Sequence, residues 1–140
     1  MLYPVILCGG YGTRLWPWSR NNYRKQLIQA FGKKSLLQNC LNRIKDPQQF
    51  HVPTVVTNFI QIDTLNKQIE QESIQAHIIV EPYAKGTAPA ITLAALALHH
   101  QDRNAVMLVM PADIHIKNNQ SFYSLLKEND LCTLNNRPLA

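Results

Sequence analysis

An apolar run that stops at a cluster of glycines is the feature that most constrains this chain. Residues 3–8, Tyr-Pro-Val-Ile-Leu-Cys, are almost entirely apolar, and Gly9, Gly10 and Gly12 follow within four residues. A short continuous apolar run bounded by glycines predicts a strand buried on both faces, as in a parallel sheet. Glycines let the backbone approach a ligand closely and adopt positive φ, and successive N–H groups in such a turn form a concavity for an anion. The sequence therefore predicts a buried strand that opens into a phosphate-binding turn.

Further apolar runs alternate with segments of helical periodicity along the chain. We expect strands over residues 3–8, 54–57, 76–80 and 105–110, and helices over residues 35–44, 62–72, 87–98 and 120–128. Strands that alternate with helices are joined by right-handed crossovers. The predicted fold is therefore α/β, with a mainly parallel sheet and helices on both faces.

Three polar or glycine-rich segments each follow a predicted strand directly. They are residues 9–12, 81–87 and 111–113. In open α/β sheets, ligands bind outside the carboxyl ends of the strands. We therefore expect all three segments to lie at one edge of the sheet and to form the binding site.

Two helix starts can be predicted from local sequence. Ser35 followed by Gln38 forms a capping box, and Thr87 is predicted to cap the third helix. That third helix is apolar almost all round, which predicts a buried helix packed on the sheet. Residues 9–24 are long for a loop in a compact domain, and such loops are usually functional.

The net charge of +5 is concentrated near the glycine turn. The first 45 residues contain eight Lys or Arg and no Asp or Glu, whereas the remainder contains six basic and nine acidic residues. A basic segment is typical of nucleic-acid-binding proteins. Here, however, the basic residues flank a glycine turn instead of lining a helix, and no nucleic-acid motif accompanies them. A small polyphosphate ligand explains the charge better than nucleic acid does.

Cysteine content and hydropathy bound the class of protein. The three cysteines, Cys8, Cys40 and Cys132, are odd in number and form no CxxC pair, which predicts inert, partly buried thiols in a reducing cytoplasm. No apolar run approaches the length of a membrane span, and the first residues lack a basic leader. A chain of 140 residues with 46% hydrophobic residues is expected to form one soluble domain with a core of its own.

Two common phosphate-binding motifs do not fit the glycines. A Walker loop needs a glycine, four residues and then Gly-Lys-Ser/Thr, but Lys34 stands where the hydroxyl residue belongs and Leu27 where the first glycine belongs. A dinucleotide fingerprint needs G-x-G-x-x-G, but Leu15 occupies its last position. The second predicted strand also ends at Thr57 and Asn58, without an acidic residue for a ribose.

A third glycine motif does fit. Residues 9–20, Gly-Gly-Tyr-Gly-Thr-Arg-Leu-Trp-Pro-Trp-Ser-Arg, followed by Tyr-Arg-Lys-Gln at 23–26, resemble the pyrophosphorylase motif of the sugar-phosphate nucleotidyltransferases. The Leu-Trp-Pro-x-Ser-Arg segment and the Lys-Gln pair are similar to the mannose-1-phosphate guanylyltransferase branch. Glu-Pro at 81–82 with Thr-Ala-Pro-Ala-Ile at 87–91, and Met-Pro-Ala-Asp at 110–113, agree in order and spacing.

This resemblance implies a Rossmann-like fold of the nucleotide-diphospho-sugar transferase type, and it also implies a nucleotidyl-transfer reaction. The implied reaction transfers GMP from GTP to mannose 1-phosphate, with a divalent metal such as Mg²⁺, and releases pyrophosphate. Chemistry of this kind depends mostly on positioning and charge stabilisation. The implied site residues are Arg14 and Lys25 as catalytic groups, Gly9, Gly10, Gly12, Thr13, Glu81 and Thr87 as nucleotide-binding groups, and Asp113 as a metal ligand.

The family's transferase domain is about twice as long as this chain, at the upper end of usual domain sizes. Residues 1–140 are therefore expected to be a truncated N-terminal half of one such domain, without a second domain. Three interpretations stay open: a nucleotide-binding half of an active enzyme, an inactive nucleotide-binding remnant, or a half that needs a partner chain. A homo-oligomer or pairing through an exposed sheet edge is consistent with the last.

Several implied site residues also have structural interpretations. Asp113 could end a strand and cap a turn, and Arg24, which stands where the family has proline, could be a solvated surface charge. Trp16 and Trp18 are predicted to pack the loop rather than to stack on a base. Gly86 stands where the family has asparagine and removes a side-chain amide that could bind the nucleotide.

Overall fold

The computed structural model describes residues 1–9, 27, 29, 32–83 and 85–128, and the backbone of the last helix to residue 134. Four strands alternate with four α-helices in the described ranges, and a short 3-10 helix, Phe59–Gln61, directly precedes the second α-helix. The strands and α-helices are β1 (Tyr3–Leu7), α1 (Leu36–Arg43), β2 (Thr54–Asn58), α2 (Ile62–Gln71), β3 (His77–Glu81), α3 (Thr87–Gln101), β4 (Met107–Pro111) and α4 (Asn119–Leu134). The predicted alternation of strands and helices is confirmed.

The four strands form one parallel sheet in the order β3-β2-β1-β4. The Cα of Leu7 in β1 pairs with that of Val56 in β2 on one side and with that of Pro111 in β4 on the other. The first strand is therefore central, and β3 and β4 are the edges of the described sheet. The predicted parallel sheet is confirmed.

Helices cover both faces of this sheet, as predicted. On one face the buried side chains of β1, β2 and β4 pack with those of α1 and α2 and against partly buried residues of α4; this cluster includes Ile6, Val55, Met110, Leu37, Leu41 and Leu65. On the other face Val5 and Val56 pack against α3. The two clusters hold the sheet between them and fix the positions of the strand ends.

The start of α1 follows the predicted capping box. The Ser35 hydroxyl accepts a hydrogen bond from the backbone N–H of Gln38 at 3.0 Å, and the Gln38 side chain accepts one from the N–H of Ser35 at 2.9 Å. Both donors would otherwise lack a partner at the helix terminus. Ser35 is fully buried, so this cap is part of the core.

The third helix is less buried than predicted. It buries Ala90, Ala94 and Leu98, which recur every four residues and therefore form one stripe. Leu93 and Leu96 are 41% and 57% exposed. The prediction of an all-round buried helix is wrong for the described residues, because only the sheet packs on this helix and small side chains bring one face close to it.

Thr87 does not cap α3, contrary to prediction. The N-cap is Gly86, which makes no side-chain cap hydrogen bond, and Thr87 is the first helical residue. Gly86 has φ +96° and ψ −175°, a region that is accessible essentially only to glycine. The backbone of the turn therefore starts this helix, without a side-chain hydrogen bond.

Some predicted boundaries are displaced by a few residues. Glu81 was predicted to begin a turn but is the last residue of β3. The fourth strand begins at Met107 and ends at Pro111, and α4 begins at Asn119 and extends to Leu134. These shifts do not alter the order of the elements.

Cys8 and Cys40 are buried thiols, as predicted, and burial raises the pKa of Cys40 to about 11, with nearby Arg43 partly offsetting that rise. The side chain of Cys132 lies outside the described residues. Within the described part of the chain, no helix has the length and apolar character needed to cross a membrane.

Candidate functional site

The site residues that the structure describes lie at the carboxyl edge of the sheet. Gly9 follows β1 by two residues, Glu81 ends β3, Thr87 begins the next helix, and Asp113 follows β4 by two residues. Since all four strands are parallel, these positions share one edge. This is the edge at which open α/β sheets bind their ligands.

Gly9, Asn58 and Glu81 form a row across three neighbouring strands. The Cα of Asn58 pairs with the Cα of Glu81, and the Nδ2 of Asn58 donates a hydrogen bond to the carbonyl oxygen of Gly9 at 3.2 Å. The Oε2 of Glu81 lies 3.1 Å from the position that a Cβ on Gly9 would occupy. The first residue of the glycine turn is therefore packed against a carboxylate.

The contact with Glu81 constrains the residue that opens the glycine turn. Glycine permits a positive φ, but among the described residues the glycines that adopt one are Gly32 and Gly86. A Cβ contact of 3.1 Å is tighter than ordinary van der Waals contact, so a side chain at Gly9 would displace the Glu81 carboxylate. Within the described structure, Gly9 leaves space for Glu81.

The carboxylate of Glu81 is buried, which is unusual for an acidic group. Only 5% of the residue is exposed, and burial raises the pKa of its carboxyl above the ordinary value. The cause of this rise is the loss of hydration on burial. A buried carboxylate in this state favours ligands that bring hydrogen-bond donors or positive charge.

Asn58 is a further candidate at this edge that no sequence motif indicated. It is 7% exposed, and its Oδ1 is buried with no hydrogen-bond donor in the described part of the chain. The available signal was its position, because a polar side chain that ends a buried strand lies at the ligand-binding edge.

Asp113 is half-buried in the turn after β4. The backbone N–H of Ala112 donates to the carbonyl oxygen of Leu7 at 3.0 Å, which ties this turn to the end of β1. Asp113 therefore follows a strand on one side of β1, and Glu81 ends a strand on the other. Asp113 is not without an interaction partner, which agrees with a structural role in the turn.

The other predicted site residues lie outside the described residues. They are Gly10, Gly12, Thr13, Arg14 and Lys25. The expected packing of Trp16 and Trp18 and the surface position considered for Arg24 also fall outside the described residues. Leu27 is described, two positions beyond Lys25, and is 4% exposed in the main core cluster. The catalytic and phosphate-binding roles of the turn therefore stay predictions from the sequence.

A metal ion at this edge would have few protein ligands. Among the described residues no group of three or more His, Cys, Asp or Glu side chains could hold a metal. Mg²⁺, however, is commonly bound by one or two carboxylates together with substrate phosphates and water. The carboxylate of Asp113 fits a metal that is shared with a phosphate ligand, and does not by itself form a site for a free ion.

Comparison with known proteins agrees with this architecture. The sequence profile of the family described as nucleotidyl transferase matches residues 3–130. The chain is 42% identical over 124 residues to a mannose-1-phosphate guanylyltransferase of Escherichia coli, a match that covers 88% of this chain and 26% of the relative. It is 35% identical over 127 residues to the alginate biosynthesis protein AlgA of Pseudomonas aeruginosa, covering 89% of this chain and 26% of the relative.

A solved structure has the same fold. The mannose-1-phosphate geranyltransferase from Thermus thermophilus superposes with a TM-score of 0.71 at 24% identity, over 91% of this chain and 36% of that chain. The chain thus spans about a quarter of the length of the curated relatives it matches. The predicted family resemblance is confirmed, and with the profile covering most of the sequence, the chain belongs to the nucleotidyl transferase family.

Proposed function

We propose that residues 1–140 are the nucleotide-binding N-terminal half of the transferase domain of a mannose-1-phosphate guanylyltransferase. The sugar-phosphate oxygen of mannose 1-phosphate would attack the α-phosphorus of GTP, and the bond from that phosphorus to the β-phosphate oxygen would break. The products are GDP-mannose and pyrophosphate. The observation that carries this proposal is the alignment of Gly9, Glu81 and Asp113 at one edge of a parallel sheet. The 42% identity to a guanylyltransferase supports the choice of substrates.

The glycine turn would bind the triphosphate. The backbone N–H groups of the turn and the hydroxyl of Thr13 would surround the β- and γ-phosphates, with Arg14 beside them. Lys25 would contact the α-phosphate, where negative charge develops during the reaction. Fixed donors of this kind stabilise a transition state because they need no reorganisation during the reaction. The proposed residues are Gly9, Gly10, Gly12, Thr13, Arg14 and Lys25.

Glu81 and Thr87 would contact the base and the ribose. The buried carboxylate of Glu81 is destabilised by desolvation, as its raised pKa indicates. N–H donors of a base would compensate for that lost hydration. Thr87 is exposed at the start of α3, and its hydroxyl is not used as a cap.

Asp113 would hold a divalent cation, with Mg²⁺ as the proposed metal. When bound, Mg²⁺ would neutralise phosphate charge during the displacement. The carboxylate of Asp113 would hold the ion against the phosphates from the turn that follows β4. We assign the second half of the site, including the sugar pocket, to polypeptide beyond the chain described here, since the matches cover about a quarter of each relative.

The protein is proposed to act in the cytoplasm on small molecules, without nucleic acid or membrane. A half that needs a partner chain is the second candidate function. Two observations favour it: β4 has a neighbouring strand on one side only in the described sheet, and Leu93 and Leu96 of α3 are exposed. Open strand edges and apolar faces favour pairing with further polypeptide.

One assay separates these candidates. The purified chain is mixed with GTP, mannose 1-phosphate and Mg²⁺, and both GTP binding and pyrophosphate release are measured. Turnover would show that the chain acts alone, GTP binding without turnover would show that it needs further polypeptide to complete the site, and an absence of GTP binding would overturn the nucleotide-binding proposal. Lys25→Gln is expected to reduce the rate by about 10²–10³-fold, by analogy with the loss of a transition-state donor. Lys33→Gln, at an exposed position, is the matched control.

A further inference from the structure

A buried amide oxygen at the carboxyl edge of the sheet lacks a hydrogen-bond donor. Asn58 is the last residue of β2 and more than nine-tenths buried, and its Oδ1 has no donor in the described part of the chain. Buried acceptors in native proteins are nearly always paired, because an unpaired one is costly. A ligand that brings an N–H group to this edge would supply the donor.

The hydrogen bond between Asn58 and Gly9 fixes the orientation of the amide. The Nδ2 of Asn58 donates to the carbonyl oxygen of Gly9 at 3.2 Å. If the amide were turned over, its oxygen would face that carbonyl, and two acceptors would then oppose each other. The nitrogen of Asn58 is therefore engaged within the protein, and its oxygen is left as an acceptor.

The carboxylate of Glu81 is a second acceptor, on the neighbouring strand. The Cα atoms of Asn58 and Glu81 are paired in the register of β2 and β3, and neighbouring strands lie about 4.8 Å apart. An ionised carboxylate only accepts hydrogen bonds, and it has two oxygens with which to do so. One amide oxygen and two carboxylate oxygens thus lie side by side at this edge.

Both strands reach the surface directly after these acceptors. Phe59, which follows Asn58, and Tyr83, two positions after Glu81, are both largely exposed. The two acceptors are therefore only one or two residues from solvent, at the edge where open α/β sheets bind their ligands.

A base with adjacent N–H donors suits this set of acceptors. Guanine has such donors on one edge, namely the N1–H and the two hydrogens of the 2-amino group. Adenine has an acceptor nitrogen at N1, and uracil has a single N–H between two carbonyl oxygens, so each would bring an acceptor against the acceptors of the site. A site built to bind particular N–H groups strongly rejects an analogue that lacks them.

We propose that Asn58 is a specificity-determining residue for guanine, whose 2-amino group donates to the Oδ1 of Asn58. The N1–H and the other hydrogen of the amino group donate to the two oxygens of Glu81, since a carboxylate accepts paired donors. This inference rests on the proposed function, which brings the base of the nucleotide to Glu81. It adds the residue that distinguishes guanine from a base without the 2-amino group.

The test compares GTP with ITP, whose base lacks only the 2-amino group. Both affinities are measured by calorimetry on the purified chain with Mg²⁺. We expect the wild type to bind GTP about tenfold to a hundredfold more tightly than ITP, because ITP leaves the Oδ1 of Asn58 unpaired. Asn58→Leu keeps a branched side chain without polar atoms. It is expected to weaken GTP binding about tenfold and to change ITP binding by less than about twofold.

Two further variants separate this role from the hydrogen bond to Gly9. Asn58→Asp cannot donate to the Gly9 carbonyl but keeps an acceptor, so it should retain a preference for GTP over ITP. Thr57→Val is the matched control, because it removes a hydrogen bond from β2 to the carbonyl of Cys8 and leaves Asn58 intact. It should also retain the preference. A preference that is lost equally in the Leu and Asp variants would give Asn58 a structural role and overturn the proposal.

The preference is a ratio of two affinities in the same variant, so a general loss of stability lowers both and does not imitate the expected result. The wild-type comparison needs no substitution at all. A wild type that binds GTP and ITP equally would overturn the role of Asn58 and leave nucleotide binding intact, as would a Leu variant with the wild-type preference. A wild type that binds neither nucleotide would overturn the proposed function, and this inference with it.

Discussion

The Oε2 of Glu81 lies 3.1 Å from the position of a Cβ on Gly9, so the glycine that opens the turn and the carboxylate that ends β3 share one space. Two residues 72 positions apart in the sequence are thereby coupled at the ligand-binding edge. The size of the side chain at position 9 therefore restricts the position of the Glu81 carboxylate.

Gly9→Ala should therefore destabilise the protein through Glu81. We expect a loss of about 1 kcal/mol in the free energy of unfolding in urea, as for other overpacked positions. In a Glu81→Ala background the same substitution should cost less, with a coupling of at least about 0.5 kcal/mol. If the losses in the free energy of unfolding simply add in the double variant, the contact with Glu81 is not the reason for a glycine at position 9.

Glu81→Gln should stabilise the chain at neutral pH. Burial raises the pKa of the folded carboxyl above 4.5, so the folded state holds its proton to higher pH than the unfolded state does. Stability is then lost as pH rises from the unfolded pKa through the folded pKa. The amide of the variant avoids this loss, and we expect a gain of about 0.5–2 kcal/mol at pH 7 that disappears well below pH 4.5.

Urea unfolding at both pH values measures this difference, with the exposed Glu70→Gln as the control. GTP binding should fall in Glu81→Gln while stability rises. A variant that loses stability at neutral pH would contradict a desolvated carboxylate at this position.

Glu72→Gln should have the opposite effect. Burial tends to raise the pKa of Glu72, but hydrogen bonds from Lys34 at 2.7 Å and Asn42 at 2.6 Å outweigh it and leave the pKa below the ordinary value. Its stabilising contribution is present above the unfolded pKa and is lost as pH falls through the folded one. We expect the variant to be less stable by about 1 kcal/mol at pH 7, since Lys34 is half-exposed and partly screened.

The difference from the wild type should disappear in acid, where both side chains are neutral. Thermal or urea unfolding between about pH 3 and pH 7 follows this convergence. A constant difference across that range would indicate a loss of packing instead of a loss of charge.

Local sequence signals predicted the elements well because their causes are local. The Ser35 and Gln38 box involves residues three apart, and the apolar run of β1 ends where the glycines begin. The alternation of strands and helices along the chain was sufficient to predict the parallel sheet. The strand ends then determined which segments share an edge.

The details of the site could not be predicted in the same way, because they depend on contacts between distant strands. The reach of Glu81 across to Gly9, and the hydrogen bond from Asn58 to the same residue, require the register of three strands. The exposure of Leu93 and Leu96 was missed for a related reason: periodicity shows that a helix is apolar but does not show what covers it.

Gly86→Ala should weaken the turn that starts α3. The φ of +96° with ψ of −175° lies in a region that only glycine adopts without strain, although no atom of the described residues beyond the adjoining ones would contact an added Cβ. We expect a loss of about 1–3 kcal/mol in the free energy of unfolding. Gly86→Asn, which restores the residue of the resembling family, should show a similar loss, and the neighbouring Lys85→Ala should be nearly neutral. An unchanged Gly86→Ala protein would show that the turn adopts another backbone conformation.

Cys8 and Cys40 should resist thiol reagents in the folded protein. Both are buried, and the pKa of about 11 at Cys40 leaves only about one thiol in a thousand ionised at pH 8. We expect neither to be modified by a maleimide under native conditions, and both to react once the chain is unfolded in urea. Mass spectrometry resolves each position and separates them from Cys132, with glutathione as the reactive control. Rapid native labelling of Cys40 would mean that α1 opens readily, because the thiol reacts only as an accessible thiolate.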